Sequence, residues 1–154
     1  MRKNVISLII AVLLAPMSAM AQKSFSTLWK QVAEAEKNDL PKTAIDLLTQ
    51  ISERASQENA YGHMLKAESQ SIMHYYEIAA DSLKPAIKRL EEKMEATDDE
   101  AAKATIAAVL YRAYNNYRTK AGDSWESLRD NYATLAMARP DVLARTKAND
   151  YEPL

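Results

Sequence analysis

Apolar side chains recur every three or four residues along most of the chain, and the recurrence restarts often enough to predict six main helices. Leu28, Val32 and Ala35, flanked by Trp29 and Ala33, predict a first helix that stops near Asn38 and Asp39. Pro41 lacks a backbone N–H and fits only a first turn. The second helix is therefore expected to start at Asp39 or Leu40 and to bury Ala44, Leu47, Leu48, Ile51 and Ala55. A third runs from about Ala60 to Ala79, with Tyr61, Leu65, Ile72, Tyr76 and Ala79 on its stripe and Met64 and Tyr75 beside it. Gly62 is expected only to weaken the first turn of that helix.

Pro85 likewise belongs in a first turn, so a fourth helix is expected to start at Asp81 or Ser82, with Leu83, Ile87, Leu90 and Met94 inward. Thr97 and Glu100 have the spacing of a capping box. They open a fifth helix that buries Ile106, Val109, Leu110, Ala113, Tyr114 and Tyr117, and Gly122 ends it or lies in the following turn. Trp125, Leu128, Tyr132 and Leu135 predict a sixth helix closed by Pro140, and a short helix is expected between Asp141 and Lys147.

A longer period overlies these elements. Asp39, Asp81 and Asp123 succeed one another at 42-residue steps, each opening a helical stretch. The segment Asp39–Leu48 overlays Asp81–Leu90 with Lys, Ala, Ile and Leu at corresponding places. Repeats of this length mark stacked supersecondary units that bury their apolar faces against neighbours. The expected fold is all-α, with antiparallel helical hairpins stacked as a tetratricopeptide-like array of about six helices.

The first residues change this picture. Arg2 and Lys3, the apolar run Val5 to Leu14 and the Ala19-Met20-Ala21 pattern read as a secretory signal peptide over residues 1–21. The run is short of the roughly 20 residues that span a bilayer, so no stable membrane span is expected after cleavage. One helical domain, residues 22–154, is expected to remain. Losing Arg2 and Lys3 takes the formal charge from −1 to −3, and both signs are interspersed along the chain. No basic stripe offers itself to nucleic acid. With no cysteine, the chain carries no disulfide, thioester or lipidated N-terminal thiol. Its end, Tyr151 to Leu154, is apolar and without a polar cap, so the chain is expected to be cut short there and the isolated piece to be marginally stable or to self-associate.

Candidate chemistry is sparse, and no catalytic, cofactor-binding or metal-binding residue is assigned. His63 and His74, the only histidines, are separated by about 16 Å of helical rise and do not share a metal. His74 and Glu77 are expected to form an ordinary surface pair. Asp98-Asp99-Glu100 lacks the ligand alternation and glycine of a calcium loop and reads as a solvated helix start. Tyr111, Tyr114 and Tyr117 read as core and interface side chains rather than a stacking ladder, as do Trp29 and Trp125. No glycine-rich loop is present to cradle a phosphate.

Four stretches together carry a resemblance: LWKQVAEAEKNDLPKTAIDLL from Leu28, DSLKPAIKRLEEKM from Asp81, LYRAYNNYR from Leu110 and ARPDVLARTKANDYEPL from Ala138. In order and spacing, from Ser26 to Leu154, they resemble the N-terminal region of the large exported alpha-2-macroglobulin-like proteins of Bacteroides-type bacteria. The resemblance implies a helical module ahead of β-sandwich domains in a protease-trapping protein. The bait segment and the Cys–Gln thioester of that family have no counterpart here, so no inhibitory residue is carried over. The chain is accordingly expected to be a non-catalytic scaffold or docking piece, exported to the periplasm, cell surface or medium, whose partner is protein. A stand-alone periplasmic adaptor is the alternative.

Overall fold

The computed structural model describes residues 23–78 and 80–154, and every regular element among them is helical. Seven α-helices succeed one another: α1 Phe25–Lys37, α2 Pro41–Gln57, α3 Tyr61–Ile78, α4 Leu83–Ala96, α5 Glu100–Tyr117, α6 Trp125–Ala136 and α7 Pro140–Arg145. Short 3-10 turns occupy Ala80–Ser82, Arg118–Lys120 and Ala148–Tyr151. The leader expected at residues 1–21 lies outside the described residues. Among those described, no helix is long and apolar enough to cross a membrane.

The 42-residue step survives as geometry, since α2, α4 and α6 begin at Pro41, Leu83 and Trp125. The aspartates themselves do not open these helices. Asp39 has φ 55° and closes α1: its N–H donates to the Glu36 carbonyl at 3.1 Å, and the Leu40 N–H donates to the Ala35 carbonyl at 2.9 Å. This is a Schellman turn, in which an Asp or Asn tolerates the left-handed region. Asn59, φ 54°, repeats the device at the end of α2, with the Ala60 N–H on the Ala55 carbonyl at 2.8 Å. Asp81 lies in a 3-10 turn, and no side chain caps α4.

The cap of α5 also differs from the expected box. Asp99 Oδ1 accepts from the Ala102 N–H at 2.8 Å, while Thr97 Oγ1 accepts from the Asp99 N–H at 3.2 Å. Asp99 stands at the N-cap itself, where its carboxylate reaches the Ala102 N–H, and it takes the role assigned to Thr97. Pro140 opens α7 as well as closing off α6, which gives a seventh helix.

Consecutive helices from α1 to α6 pack on one another, and α3 also touches α5. Phe25 and Trp29 of α1 meet His63 near the start of α3, and Glu36 near the end of α1 meets His74 near the end of α3. Thus α1 and α3 run side by side in one direction, and α2, joined to both by short turns, returns between them. Leu28, Val32, Leu48, Ile51 and Ala67 form a small core among α1, α2 and α3. A larger core runs from Leu65 and Ile72 through Leu83, Ile87 and Leu90 to Ile106 and Leu110.

Three stripe assignments differ from expectation. Tyr76 is 38% exposed and Leu135 is 40% exposed, while Ile45 is buried more completely than Leu47. Tyr76 packs at the solvent-exposed edge of the α3/α5 contact, its ring 4.5 Å from that of Tyr117 with Lys120 Nζ above it. Leu135 borders a surface cleft beside Met94, Ala104 and Ala138.

Candidate protein-binding face

Helix α3 carries an unusual load of buried polarity. Glu68 is 1% exposed, and Ser71 and His74 are buried with it. A buried carboxylate is tolerated only when paired and hydrogen-bonded. Ser52 Oγ of α2 donates to Glu68 Oε1 at 2.5 Å, Arg89 Nη2 of α4 donates to Oε2 at 3.1 Å, and Lys93 Nζ stands 3.9 Å from Oε1. Lys93 also donates to Ser56 Oγ at 3.0 Å. Glu68 therefore fastens α3 to α2 and α4. Further along, Glu91 Oε1 of α4 accepts the hydroxyls of Tyr114 and Tyr132 at 2.8 and 2.9 Å, fastening α4 to α5 and α6. Burial, and then the bond to Glu91, pushes both tyrosine hydroxyls well above their ordinary range.

These ties leave one side of α1, α3 and α5 open. A groove of about 630 Å³ lies between α1 and α3, lined by Phe25, Trp29, Lys30, Glu36, His63, Lys66 and Gln70 among others. At its centre Trp29 Nε1 donates to His63 Nδ1 at 2.8 Å, and the Phe25 ring stacks on the imidazole at 4.0 Å. An Nδ1 that accepts this bond keeps its lone pair, so the neutral ring carries its proton on Nε2. Burial, with Lys66 and Arg54 nearby, holds the His63 pKa below its ordinary value. Lys66 Nζ lies 5.2 Å above the Trp29 ring.

A second cleft, about 250 Å³, lies between α3 and α5 and is lined by Gln70, Ile72, Met73, Val109, Arg112, Asn116 and Tyr117 among others. Gln70 belongs to both walls. Its Oε1 is buried without a hydrogen-bond partner.

The residues singled out in the sequence fall in different places. His63 joins the groove through Trp29, a partner 34 residues away that helical spacing does not reveal. His74 is not an exposed surface pair with Glu77: it is 8% exposed and its Nε2 lies 3.0 Å from Glu36 Oε1, with Glu77 at 3.8 Å from Nδ1. The reason is that α1 covers this side of α3. Of the tyrosine series, Tyr114 is buried, Tyr117 partly so, and Tyr111 is 38% exposed. Trp29 and Trp125 are partly buried against the cores. Asp99 and Glu100 sit at the start of α5. Among the described residues, no group of three or more His, Cys, Asp or Glu is placed to hold a metal ion.

Compared with protein-family models, with curated proteins and with solved structures, the chain matches none.

Proposed function

We propose that this chain is a non-catalytic, exported helical module whose work is protein contact, and that its α1/α3/α5 face makes the contact. The supporting observation is the pair of adjoining clefts on that face. They share Gln70 and carry exposed Met73 beside partly buried aromatic side chains. Recognition surfaces of protein partners are enriched in such aromatic and methionine side chains. On this reading the hairpins stack as in tetratricopeptide arrays, and the leader directs the chain to the periplasm, the cell surface or the medium.

The resemblance of residues 26–154 to alpha-2-macroglobulin-like proteins makes the first partner the β-sandwich domains of such a protein, with this module as its N-terminal scaffold. The second reading, a stand-alone periplasmic adaptor, differs in having a separate envelope protein on the same face.

A photo-crosslinking residue at Met73, paired with a control at Glu53 on α2, tests the proposal in cells. Scaffold and adaptor both predict a discrete crosslinked product from Met73 and little from Glu53. An antibody against residues 22–154 then separates them. A band far larger than this chain, crosslinked within itself, supports the scaffold. A small processed band crosslinked to a second protein supports the adaptor. Equal, diffuse crosslinking from both positions overturns the face assignment.

A further inference from the structure

We infer that His63 makes the seam between α1 and α3 an acid-operated latch: a proton on its Nδ1 frees the Phe25/Trp29 end of α1 from α3, while the Glu36 end stays held by His74. This movement is internal to the chain and independent of what the face contacts.

The deciding geometry is at Nδ1. An indole N–H only donates, and Trp29 Nε1 lies 2.8 Å from His63 Nδ1, so the bond exists only while Nδ1 is bare. An imidazolium carries hydrogen on both nitrogens and sets two N–H groups against each other there. The surroundings do little to favour that charge. From α3 comes Lys66 and from α2 comes Arg54, against which Glu58 of α2 is the weaker pull. The C-terminal segment brings uncharged Pro153 to the groove, and α1 brings Lys30. The Phe25 and Trp29 rings of α1 stack on the imidazole at 4.0 and 6.2 Å. Each already faces a cation, Arg54 at 4.3 Å from the Phe25 centroid and Lys66 at 5.2 Å from that of Trp29, which leaves little cation–π attraction for an imidazolium. Burial, then Lys66 and Arg54, accordingly hold the His63 pKa below the ordinary 6.5.

His74, at the far end of the same helix, has the opposite surroundings. Its Nε2 lies 3.0 Å from Glu36 Oε1, so Nε2 carries the hydrogen and Nδ1 is bare. That Nδ1 is buried without a hydrogen-bond partner and stands 3.8 Å from Glu77 Oε2. A proton there meets a carboxylate, and the tie to Glu36 becomes an ion pair. Two histidines on one helix thus answer acid with opposite signs, at opposite ends of α1.

The seam can part because α1 packs closely on α2 and not on α3. Leu28 and Val32 share a core with Leu48 and Ile51 of α2, to which α3 adds Ala67. Arg54 also donates to the Lys23 carbonyl, so the start of α1 stays on α2 as it leaves α3. The seam itself is made by the long side chains of Phe25, Trp29 and Glu36 on the two histidines. Parting its first end widens the groove of about 630 Å³ and bares both aromatic rings. Between the pKa values of His63 in the closed and open forms, each pH unit of acid shifts the latch about tenfold toward the open form.

The test reads Trp29 in a Trp125→Phe protein, where it is the sole tryptophan. Its shielding from acrylamide quenching is expected to be lost as pH falls, with a midpoint below 6.5 that coincides with the titration of the His63 ring protons. His63→Asn sets an uncharged acceptor near the place of Nδ1 and is expected to keep Trp29 shielded throughout. In the unaltered protein, nuclear Overhauser contacts between the Phe25 and His63 rings are expected to fade over the same range, while those between Glu36 and His74 persist.

Trp29 shielding that stays constant through the His63 titration overturns the inference. So does a loss of shielding that persists in His63→Asn. Fading of both sets of contacts together overturns it as well, since that would be acid unfolding of the whole stack. Should His63→Asn fail to fold, the two sets of contacts in the unaltered protein decide alone. A crosslinker at Met73 that captures nothing while Trp29 still answers to acid would remove the contact reading and support the latch.

Discussion

Gly62 and Tyr151 touch through their backbones: a β-carbon on Gly62 would overlap the carbonyl oxygens of both Tyr151 and Glu152. The C-terminal 3-10 turn thereby lies directly on the first turn of α3, and the Tyr61 and Tyr151 rings stack at 6.3 Å. Burial in this contact pushes the Tyr151 hydroxyl up to about 12.

The sign of a glycine substitution reports this contact. In an open helix Gly→Ala stabilises by about 1 kcal/mol. Here Gly62→Ala must displace backbone and is expected to destabilise by about 1–3 kcal/mol. In a chain ending after Arg145 the same change is expected to be neutral or stabilising. Urea denaturation of the four proteins checks it, and equal effects in both backgrounds would show that the tail does not press on Gly62.

Arg89→Met leaves Glu68 buried with only Ser52 and a more distant Lys93. Breaking a buried pair typically costs about 3–5 kcal/mol, while replacing both members with apolar residues costs far less. Because Arg89 is itself 34% exposed, the lower end of that range is expected for the single change. The double variant Glu68→Met/Arg89→Met is expected to lose less than the sum of the single changes. A denaturation cycle with additive losses would remove Glu68 from its role as the tie of α2, α3 and α4.

The His63 pKa lies below its ordinary value of about 6.5, so the unfolded chain takes up a proton first as pH falls. His63 therefore contributes stability that is present above about pH 6.5 and is lost as pH falls from there through the folded pKa. Replacing it with Gln is expected to flatten that part of the stability profile. Trp29→Phe removes the donor to Nδ1 and is expected to raise the His63 pKa, read from the imidazole proton shifts. An unchanged pKa would mean that burial and the nearby Lys66 and Arg54 set it without that bond.

Gln70→Leu removes a buried oxygen that has no partner. Unsatisfied buried groups cost about 1–3 kcal/mol, and a similar-sized apolar replacement relieves this. The variant is expected to gain on the order of 1 kcal/mol and a higher thermal midpoint. A loss instead would show that Gln70 finds a donor in the free protein.

Much of the helical pattern was legible because a stripe of Leu and Ile needs no partner named in advance. Leu48, Ile51, Leu65, Leu90, Ile106 and Leu110 all lie in the cores where helical spacing places them. The polar interior was not legible. Glu68, His74 and His63 owe their positions to Ser52, Arg89, Glu36 and Trp29, side chains 16 to 38 residues away. Helical spacing shows which residues share a face, but not which helix will cover it. Gly62 read as a weak point in α3 for the same reason, since the segment that needs its missing side chain lies 89 residues downstream.

Glu68 and Glu91 also bear on how the molecule comes apart. Stacked hairpins joined only to their neighbours melt from an end, one unit at a time. Glu68 binds α2, α3 and α4 together, and Glu91 binds α4, α5 and α6, so α4 is common to both clasps. Amide exchange should therefore reveal one slow-opening block from α2 to α6, with α1 and the tail fraying ahead of it rather than a gradient of protection along the chain.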